Sequence, residues 1–458
     1  MAPKFGTSGL RGLVTELTAE CVGAHVAGFA RACPMGSGLY VGHDLRDSSP
    51  RIAAMVAEAA QAAGLAVTDC GAVPTPALAL AAMGDGAAAV MVTGSHIPAD
   101  RNGLKFYTPA GEITKRDEQA ILAALGGSSH AEPGPAVMRR TDVDARYIAR
   151  YRDAFGQCLQ GMQLGLYAHS AVGASLMQAL LQELGAQVDI LGRSKVFVPV
   201  DTEAVSPTVR AQLRDWAASG RYDAILSTDA DGDRPLLTDE TGEVVPGDVL
   251  GQITAAALGA KVIVTPVSSN TGAEASGHFA QVTRTAIGSP YVIAGMAEAG
   301  GRTVGYEANG GFLLGYAANG PAGVIAPLMT RDAVLPILAV LHQARDRGVA
   351  ELVAAQPPRF TASDRLQDVP TEVSQRLVRD LTDTPTARAE FLSQLCGVAE
   401  ASINTLDGLR ITLSDGRIVH LRPSGNAPEL RLYAEAESKG ISQQMLDHGL
   451  DLLRKMKS

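Results

Sequence analysis

Short apolar runs alternate along this chain with stretches whose apolar positions return every three or four residues. Near the N-terminus, Gly38–Gly42, Leu65–Thr68 and Ala87–Val92 have the length and continuity of buried strands. Helical spacing separates them, over 51–64 and onward from Pro74-Thr75-Pro76. Thr18 is placed to cap an earlier helix that runs to Arg31, and Gly64 to stop the one before Leu65. Strand, helix, strand, helix, strand predicts a parallel sheet with helical crossovers.

The pattern recurs downstream. Leu164–Tyr167, Gln187–Ile190 and Tyr222–Ser227 read as strands, with helices over 171–184 and 209–219. Leu236–Asp239 and Glu243–Val245 predict a hairpin about Thr241-Gly242. A third alternation has a helix over 249–258, strands Val262–Pro266 and Gly301–Tyr306, and a helix from Arg331 to Arg347. The last stretch differs: 408–413 and 418–421 read as a hairpin about Ser414-Asp415-Gly416, followed by a strand over 430–435 and a helix from Ser442 to Lys455. Composition shifts at 128–135, near Arg146, at Pro246 and at Gln356-Pro357-Pro358 divide the chain into units 1–145, 146–246, 247–360 and 361–458. The expected fold class is α/β, with three similar mixed α/β domains and a C-terminal α+β domain.

Composition narrows the classes of function. The chain has 458 residues, 46% of them hydrophobic, 19% charged and 4% aromatic, enough apolar material for several cores. Net charge is −9 and no basic run occurs, which argues against nucleic acid as a partner. The most apolar region, 71–92, is broken by Pro74, Pro76 and Asp85, so no membrane span is expected. Five scattered cysteines without a C-x-x-C pair suggest neither a disulfide framework nor zinc. A reducing cytoplasm is the expected location, and no signal peptide is expected at the N-terminus.

In each unit a loop stands out chemically at a strand end, where open α/β sheets bind ligands. The strand 87–92 stops at Thr93-Gly94-Ser95-His96-Ile97-Pro98. Gly94 lets the backbone bend, Pro98 blocks continuation, and Lys105 returns from the turn that follows. The loop Phe5-Gly6-Thr7-Ser8-Gly9-Leu10-Arg11-Gly12 is rich in donors and suits an anion. Asp229, Asp231 and Asp233 alternate before Arg234, and three close carboxylates call for a cation; hard oxygen ligands favour magnesium, calcium or manganese. An EF-hand would also place Glu240 at its twelfth position, but its sixth is Arg234 rather than glycine. Arg422-Pro423-Ser424-Gly425-Asn426-Ala427-Pro428-Glu429, with Arg431 beyond, fits a phosphate.

Taken together, these loops resemble the α-D-phosphohexomutases. That family's glycine-rich loop resembles 6–12, its phosphoserine loop 93–98, its D-x-D-G-D-R magnesium loop 229–234, its G-E-x-S-G sugar loop Gly305–Gly310 shifted by one residue, and its phosphate loop 422–429. The matches occur in family order along the whole chain. G-S-H-I-P together with Gly288-Ser289-Pro290-Tyr291 is most similar to the family's bacterial phosphomannomutase branch.

The resemblance implies four domains around a central cleft and a reversible phosphoryl shift between C6 and C1 of a hexose. It implies Ser95 as phosphoryl carrier, with Arg11, His96, Lys105 and Arg234 acting beside it. One Mg2+ would be held by Ser95, Asp229, Asp231 and Asp233. Sugar hydroxyls would be met by Glu307 and Asn309, and a phosphate by Arg422, Ser424, Gly425, Asn426 and Arg431. A hexose 1,6-bisphosphate is the expected activator, a small phosphosugar the expected partner, and a monomer or homodimer the expected assembly. Phosphoglucomutase, phosphoglucosamine mutase, a phosphatase, a non-catalytic phosphosugar-binding protein and a calcium-stabilised structural protein are the alternatives. Four departures stand out: Asn309 replaces the family serine, Gly311 follows where many members have histidine, Ser289-Pro290 stands where some place a histidine, and Asn426-Ala427 replaces Thr-Glu.

Overall fold

The computed structural model describes residues 3–6, 9–127, 132–424 and 428–456. Thr7 and Ser8 of the first loop, the start of the 128–135 segment, and Gly425 and Asn426 lie outside them. The chain forms two compact units, Met1–Val264 with Gly288–Val353, and Thr265–Ile287 with Ala354–Ser458.

The first unit contains mixed sheets. In the N-terminal one, Leu39–His43 lies parallel to both Val67–Ala72 and Ala88–Val92. Helices Ala19–Ala32, Ser49–Ala62 and Thr75–Gly84 supply the crossovers, and Thr18 caps the first through the backbone N–H of Cys21. Val41, Val90, Val92, Phe29 and Ile52 share one buried cluster. The sheet is not wholly parallel, however. The segment read as a turn bringing Lys105 back is the eight-residue strand Arg101–Thr108, antiparallel to Ala88–Val92 with Lys105 opposite Met91. Leu104 and Phe106 enter the apolar cluster from one face while Lys105 and Tyr107 are buried on the other. A strand buried on both faces loses its polar alternation, and a lysine within it reads as a loop residue.

In the second sheet Gln163–Tyr167 lies parallel to Gln187–Leu191 and Ala224–Thr228. Pro235–Leu237 then turns back antiparallel on Ala224–Thr228. The acidic loop 229–234 is therefore itself the hairpin connection. Of the hairpin expected about Thr241-Gly242, a bridge between Thr238 and Val244 remains, with Asp239 N–H donating to Glu243 O at 2.9 Å.

The third alternation places Val262–Val264 parallel to Thr303–Gly305. Phe312–Leu314 runs antiparallel to Thr303–Tyr306 and to Leu328–Asp332. The helix expected from Arg331 begins instead at Val334 and ends at Ala344. Arg331 and Asp332 finish a strand, because Asp332 Oδ1 accepts the Val334 N–H at 2.8 Å and starts the helix beyond itself.

The second unit holds a five-stranded antiparallel sheet ordered Phe360–Leu366, Leu430–Ala436, Ile418–Pro423, Leu409–Leu413, Glu400–Asn404. The hairpin read at 408–421 is present. Its two outer strands and the helices Thr371–Asp383 and Pro385–Leu395 were not legible in the pattern. One sheet face and these helices, with Lys439–Met456, enclose a cluster that includes Leu377, Phe391, Leu421, Leu432 and Leu450. Among the described residues no helix is long and apolar enough to cross a membrane.

Candidate active site

Ser95 leaves the fully buried strand Ala88–Val92 in a left-handed conformation, φ +53°. A non-glycine residue keeps that conformation only where its surroundings enforce it. Arg46 does so here. Its Nη1 donates to the carbonyls of Pro98 (2.7 Å) and Arg101 (2.9 Å), and its Nη2 to those of Ser95 (2.9 Å) and Ile97 (2.6 Å). Nε reaches Asp44 Oδ2 at 3.3 Å, and the guanidinium carbon sits 4.0 Å from the centre of the Phe197 ring. Asp44 also accepts from the hydroxyls of Ser49 (2.5 Å) and Thr93 (2.7 Å), and Thr93 in turn receives the Ser95 N–H at 2.8 Å. A Cβ on Gly94 would come within 2.5 Å of the Arg46 Cζ, so only glycine fits. The sequence reading missed Arg46, whose signal was its place in the polar segment His43–Pro50 after a buried strand.

The loop aims the Ser95 hydroxyl at the acidic hairpin, where it donates to Asp229 Oδ2 at 2.5 Å. Asp229, Asp231 and Asp233 are all fully buried, and one oxygen from each lies within 4.8 Å of the others. Asp229 Oδ1 accepts the N–H groups of Asp233 and Arg234, each at 3.2 Å. Lys105 Nζ donates to Asp231 Oδ2 and Asp233 Oδ2, both at 2.5 Å, and Thr75 also donates its hydroxyl to Asp231. Asp231 Oδ1 and Asp233 Oδ1 accept no hydrogen bond among the described residues.

A buried carboxylate oxygen without a donor is costly, and two of them beside a third carboxylate fit the oxygen set of a hard divalent cation. With protein groups alone, burial first and then the charges of Asp231 and Asp233 push the Asp229 carboxyl well up. A divalent ion would relieve that penalty. Asp229, Asp231 and Asp233 could hold it, with Ser95 at its edge.

The surrounding cations describe an anion site. Arg11, on the strand Leu10–Leu13, is pushed down to about 10, by burial first and then by the charges of Arg234 and Arg331. Guanidinium groups close enough to repel one another suit a phosphoryl group. Arg234 Nη1 donates to His96 Nδ1 at 2.9 Å, which fixes that nitrogen as an acceptor. Burial, then Arg234 and Arg11, push the His96 imidazolium far down, so the ring is neutral. Ser95 Oγ lies 3.2 Å from the same nitrogen.

Glu307 and Asn309 occupy the tip between Thr303–Tyr306 and Phe312–Leu314, both buried. Arg331, also missed in the sequence, reaches Asp233 at 2.8 Å and Glu307 at 3.2 Å. The first unit thus brings together Ser95, Lys105, His96, Arg234 and the three aspartates, and links Glu307 to them through Arg331.

Within the second unit, Arg422 and Arg431 face each other on adjacent strands, and Arg365 lies opposite Arg431 on the next. Arg422 Nε pairs with Asp407 at 2.8 Å, and Glu429 lies 3.3 Å from Arg365 and 3.6 Å from Arg431. The backbone N–H of Ser424 donates to Glu429 O at 2.9 Å. Arg365, in a strand the sequence pattern concealed, was not anticipated.

Models of the phosphoglucomutase/phosphomannomutase family match this chain over residues 2–131 (α/β/α domain I), 246–360 (α/β/α domain III) and 369–448 (C-terminal domain). A phosphomannomutase of Sinorhizobium fredii is 44% identical over 99% of this chain and 99% of its own length. The chain belongs to the phosphoglucomutase/phosphomannomutase family. A phosphomannomutase of Salmonella muenchen is 43% identical over 95% of this chain and 92% of its own length. The crystal structure of a putative phosphomannomutase from Thermus thermophilus shares the fold, with a TM-score of 0.79, 22% identity and 99% of both chains covered. As a member of this family the protein is an intramolecular phosphotransferase.

Proposed function

We propose that this enzyme interconverts mannose 6-phosphate and mannose 1-phosphate through a phosphorylated Ser95 and a hexose 1,6-bisphosphate. The observation that carries the reaction is the Ser95 hydroxyl, buried and bonded to Asp229 at the edge of a carboxylate triad with two unpartnered oxygens. The sugar rests on the two relatives, 44% and 43% identical, that bear the name phosphomannomutase.

Phospho-Ser95 gives its phosphoryl group to the free sugar hydroxyl, the bisphosphate turns end over end, and its other phosphate returns to Ser95. Magnesium, held by Asp229, Asp231, Asp233 and Ser95, supplies charge neutralisation at the transferring group. Lys105 spans Asp231 and Asp233 and fixes the hairpin that bears them. Arg234 faces the phosphoryl oxygens and donates to His96 Nδ1, while burial first and then Arg234 keep that ring neutral; with Nδ1 occupied, His96 takes a positional role. Arg11, close to Arg234 and Arg331, is with Lys105 a candidate for acid/base work at the sugar hydroxyl and for stabilising charge there. Glu307 and Asn309 take sugar hydroxyls. Arg422, Ser424, Gly425, Asn426 and Arg431, with Arg365 beside them, hold the phosphate that is not reacting. Closure that excludes water during transfer would favour the mutase over a phosphatase.

A hexose 1,6-bisphosphate would prime Ser95. The free cysteines, Cys21, Cys33, Cys70, Cys158 and Cys396, suit a reducing cytoplasm, and a monomer or homodimer is the expected assembly.

Phosphorus NMR with magnesium, a trace of glucose 1,6-bisphosphate, and mannose, glucose or glucosamine 1-phosphate supplied separately tests the reading. A 6-phosphate signal should grow without inorganic phosphate, fastest for mannose. No conversion of any sugar by enzyme whose phospho-Ser95 is verified by mass would overturn it.

A further inference from the structure

Arg331 has a place in this reaction that its sequence context gave no reason to suspect. It is the penultimate residue of the strand Leu328–Asp332, whose pairing with Phe312–Leu314 sets Asp332 opposite Phe312. That register lays the Arg331 side chain along Gly311. A Cβ on Gly311 would lie 2.8 Å from Arg331 Cδ and 3.0 Å from Cγ. The aliphatic stem therefore fills the volume a side chain at 311 would need, at the position where the resemblance led one to expect a histidine.

The guanidinium is buried and spans two loops. Nη2 lies 2.8 Å from Asp233 Oδ2, and Nη1 donates to Glu307 Oε2 at 3.2 Å. Asn309 Nδ2 approaches the same Glu307 oxygen at 3.5 Å. The backbone under Arg331 is held by its neighbour, since Asp332 accepts the hydroxyls of Tyr147 (2.6 Å) and Tyr151 and the N–H of Val334 (2.8 Å). Ser289, at the second position where a histidine was expected, donates to Glu112 Oε1 at 2.8 Å.

A planar guanidinium has two ends at fixed separation, so its fork sets where the Glu307 carboxylate stands relative to Asp233. A lysine offers one point of charge and lacks that fixed separation. We propose that Arg331 is a positioning residue: it holds the Glu307 carboxylate ready for sugar hydroxyls and ties that placement to the acidic hairpin. This rests on the reading of Glu307 as a sugar ligand.

The test is a double-mutant cycle in kcat/KM and in the Kd of mannose 1-phosphate measured by calorimetry. The variants are Arg331→Met, Glu307→Gln and both together, with Arg331→Lys alongside. Arg331→Met is expected to lower kcat/KM by about 50-fold, the order of one lost buried charge-assisted hydrogen bond. Arg331→Lys should restore little of it. In the Glu307→Gln background the same change should cost no more than about twofold, with Kd following the same pattern. If Arg331→Met does not fold, Gly311→Ala keeps the charge and displaces its stem. It should lower kcat/KM by about tenfold in the native background and leave Glu307→Gln enzyme unaffected. Fully additive effects, or native kinetics in Arg331→Met, would overturn the positioning role. Native kinetics in Glu307→Gln would overturn the sugar-loop reading first, and the inference with it.

Discussion

Two of the buried carboxylate sites in the first unit of this enzyme, Asp332 and the aspartate triad, are furnished differently. Asp332 has both oxygens bonded, Oδ1 to the Tyr147 hydroxyl at 2.6 Å and the Val334 N–H at 2.8 Å, and Oδ2 to the Tyr151 hydroxyl. Neutral donors and a helix start satisfy it without a counter-ion. Asp229, Asp231 and Asp233 are buried at least as deeply, yet Asp231 Oδ1 and Asp233 Oδ1 accept nothing among the described residues. The comparison separates two uses of a buried charge. A carboxylate whose acceptors are all filled holds the fold, and one with unfilled acceptors beside like charges is shaped for a ligand.

The largest effect that would sharpen this contrast is on turnover. Asp231→Asn should cost about 10³-fold in kcat, since several kcal/mol of charge stabilisation would depend on the ion proposed for the triad. The metal-free variant should melt no lower than the native protein, because the substitution relieves repulsion among three buried carboxylates and the amide oxygen can still accept from Lys105 and Thr75. A lowered melting temperature for that variant would assign Asp231 to the fold instead. Asp332→Ala should do the reverse. A loss of about 3 kcal/mol in chemical denaturation is expected, from the stranded tyrosine hydroxyls and the lost helix cap, while the calorimetric affinity for magnesium stays within a few-fold of native. Equal losses of magnesium affinity in both variants would break the comparison.

Magnesium itself should stabilise the native protein by about 2.7 kcal/mol at 100 times its Kd, and EDTA should remove that gain. Asp332→Asn should keep the gain and Asp231→Asn should lose it, which thermal melts with and without the metal would reveal. Tyr151→Phe, which removes one neutral donor from Asp332, is a milder probe. About 1 to 2 kcal/mol of stability should be lost with native kcat.

The smallest effect is in pH. Burial and the charges of Asp231 and Asp233 raise the Asp229 carboxyl above its unfolded value, which is about 3.9. Such a group stabilises the fold below the unfolded value and loses that contribution as pH rises through the folded one. Magnesium competes with the same proton, so its gain in melting temperature should grow as pH rises from the ordinary carboxylate range upward. A gain independent of pH would mean that the triad is not where the metal binds.

How much of this was legible beforehand follows from the reach of each interaction. Ser95 and the aspartates stand on loops that end apolar strands, and local sequence showed both the strand and its unusual ending. Lys105 was recognised as a residue but not as part of a strand, because its neighbours Leu104, Phe106 and Tyr107 are buried on both faces and leave no alternation. Arg46 and Arg331 escaped notice for a different reason. Arg46 acts on carbonyls about fifty positions away, and Arg331 reaches Asp233 from the edge of a different sheet. The apolar run Val334–Ala344 extended its helical pattern backward over Arg331 and Asp332, hiding the strand that gives both their roles. In the second unit Arg422 and Arg431 were found by motif, whereas Arg365 needed the register of a strand whose burial alternates too weakly to be read.

The most direct test of the account is a single turnover. Enzyme bearing phospho-Ser95 is mixed with magnesium and a stoichiometric amount of mannose 1-phosphate, then quenched and followed by intact mass and phosphorus NMR. The account predicts that Ser95 loses its phosphoryl group as an equal amount of hexose bisphosphate appears, before mannose 6-phosphate accumulates. Mannose 6-phosphate formed while phospho-Ser95 stays intact throughout would contradict it.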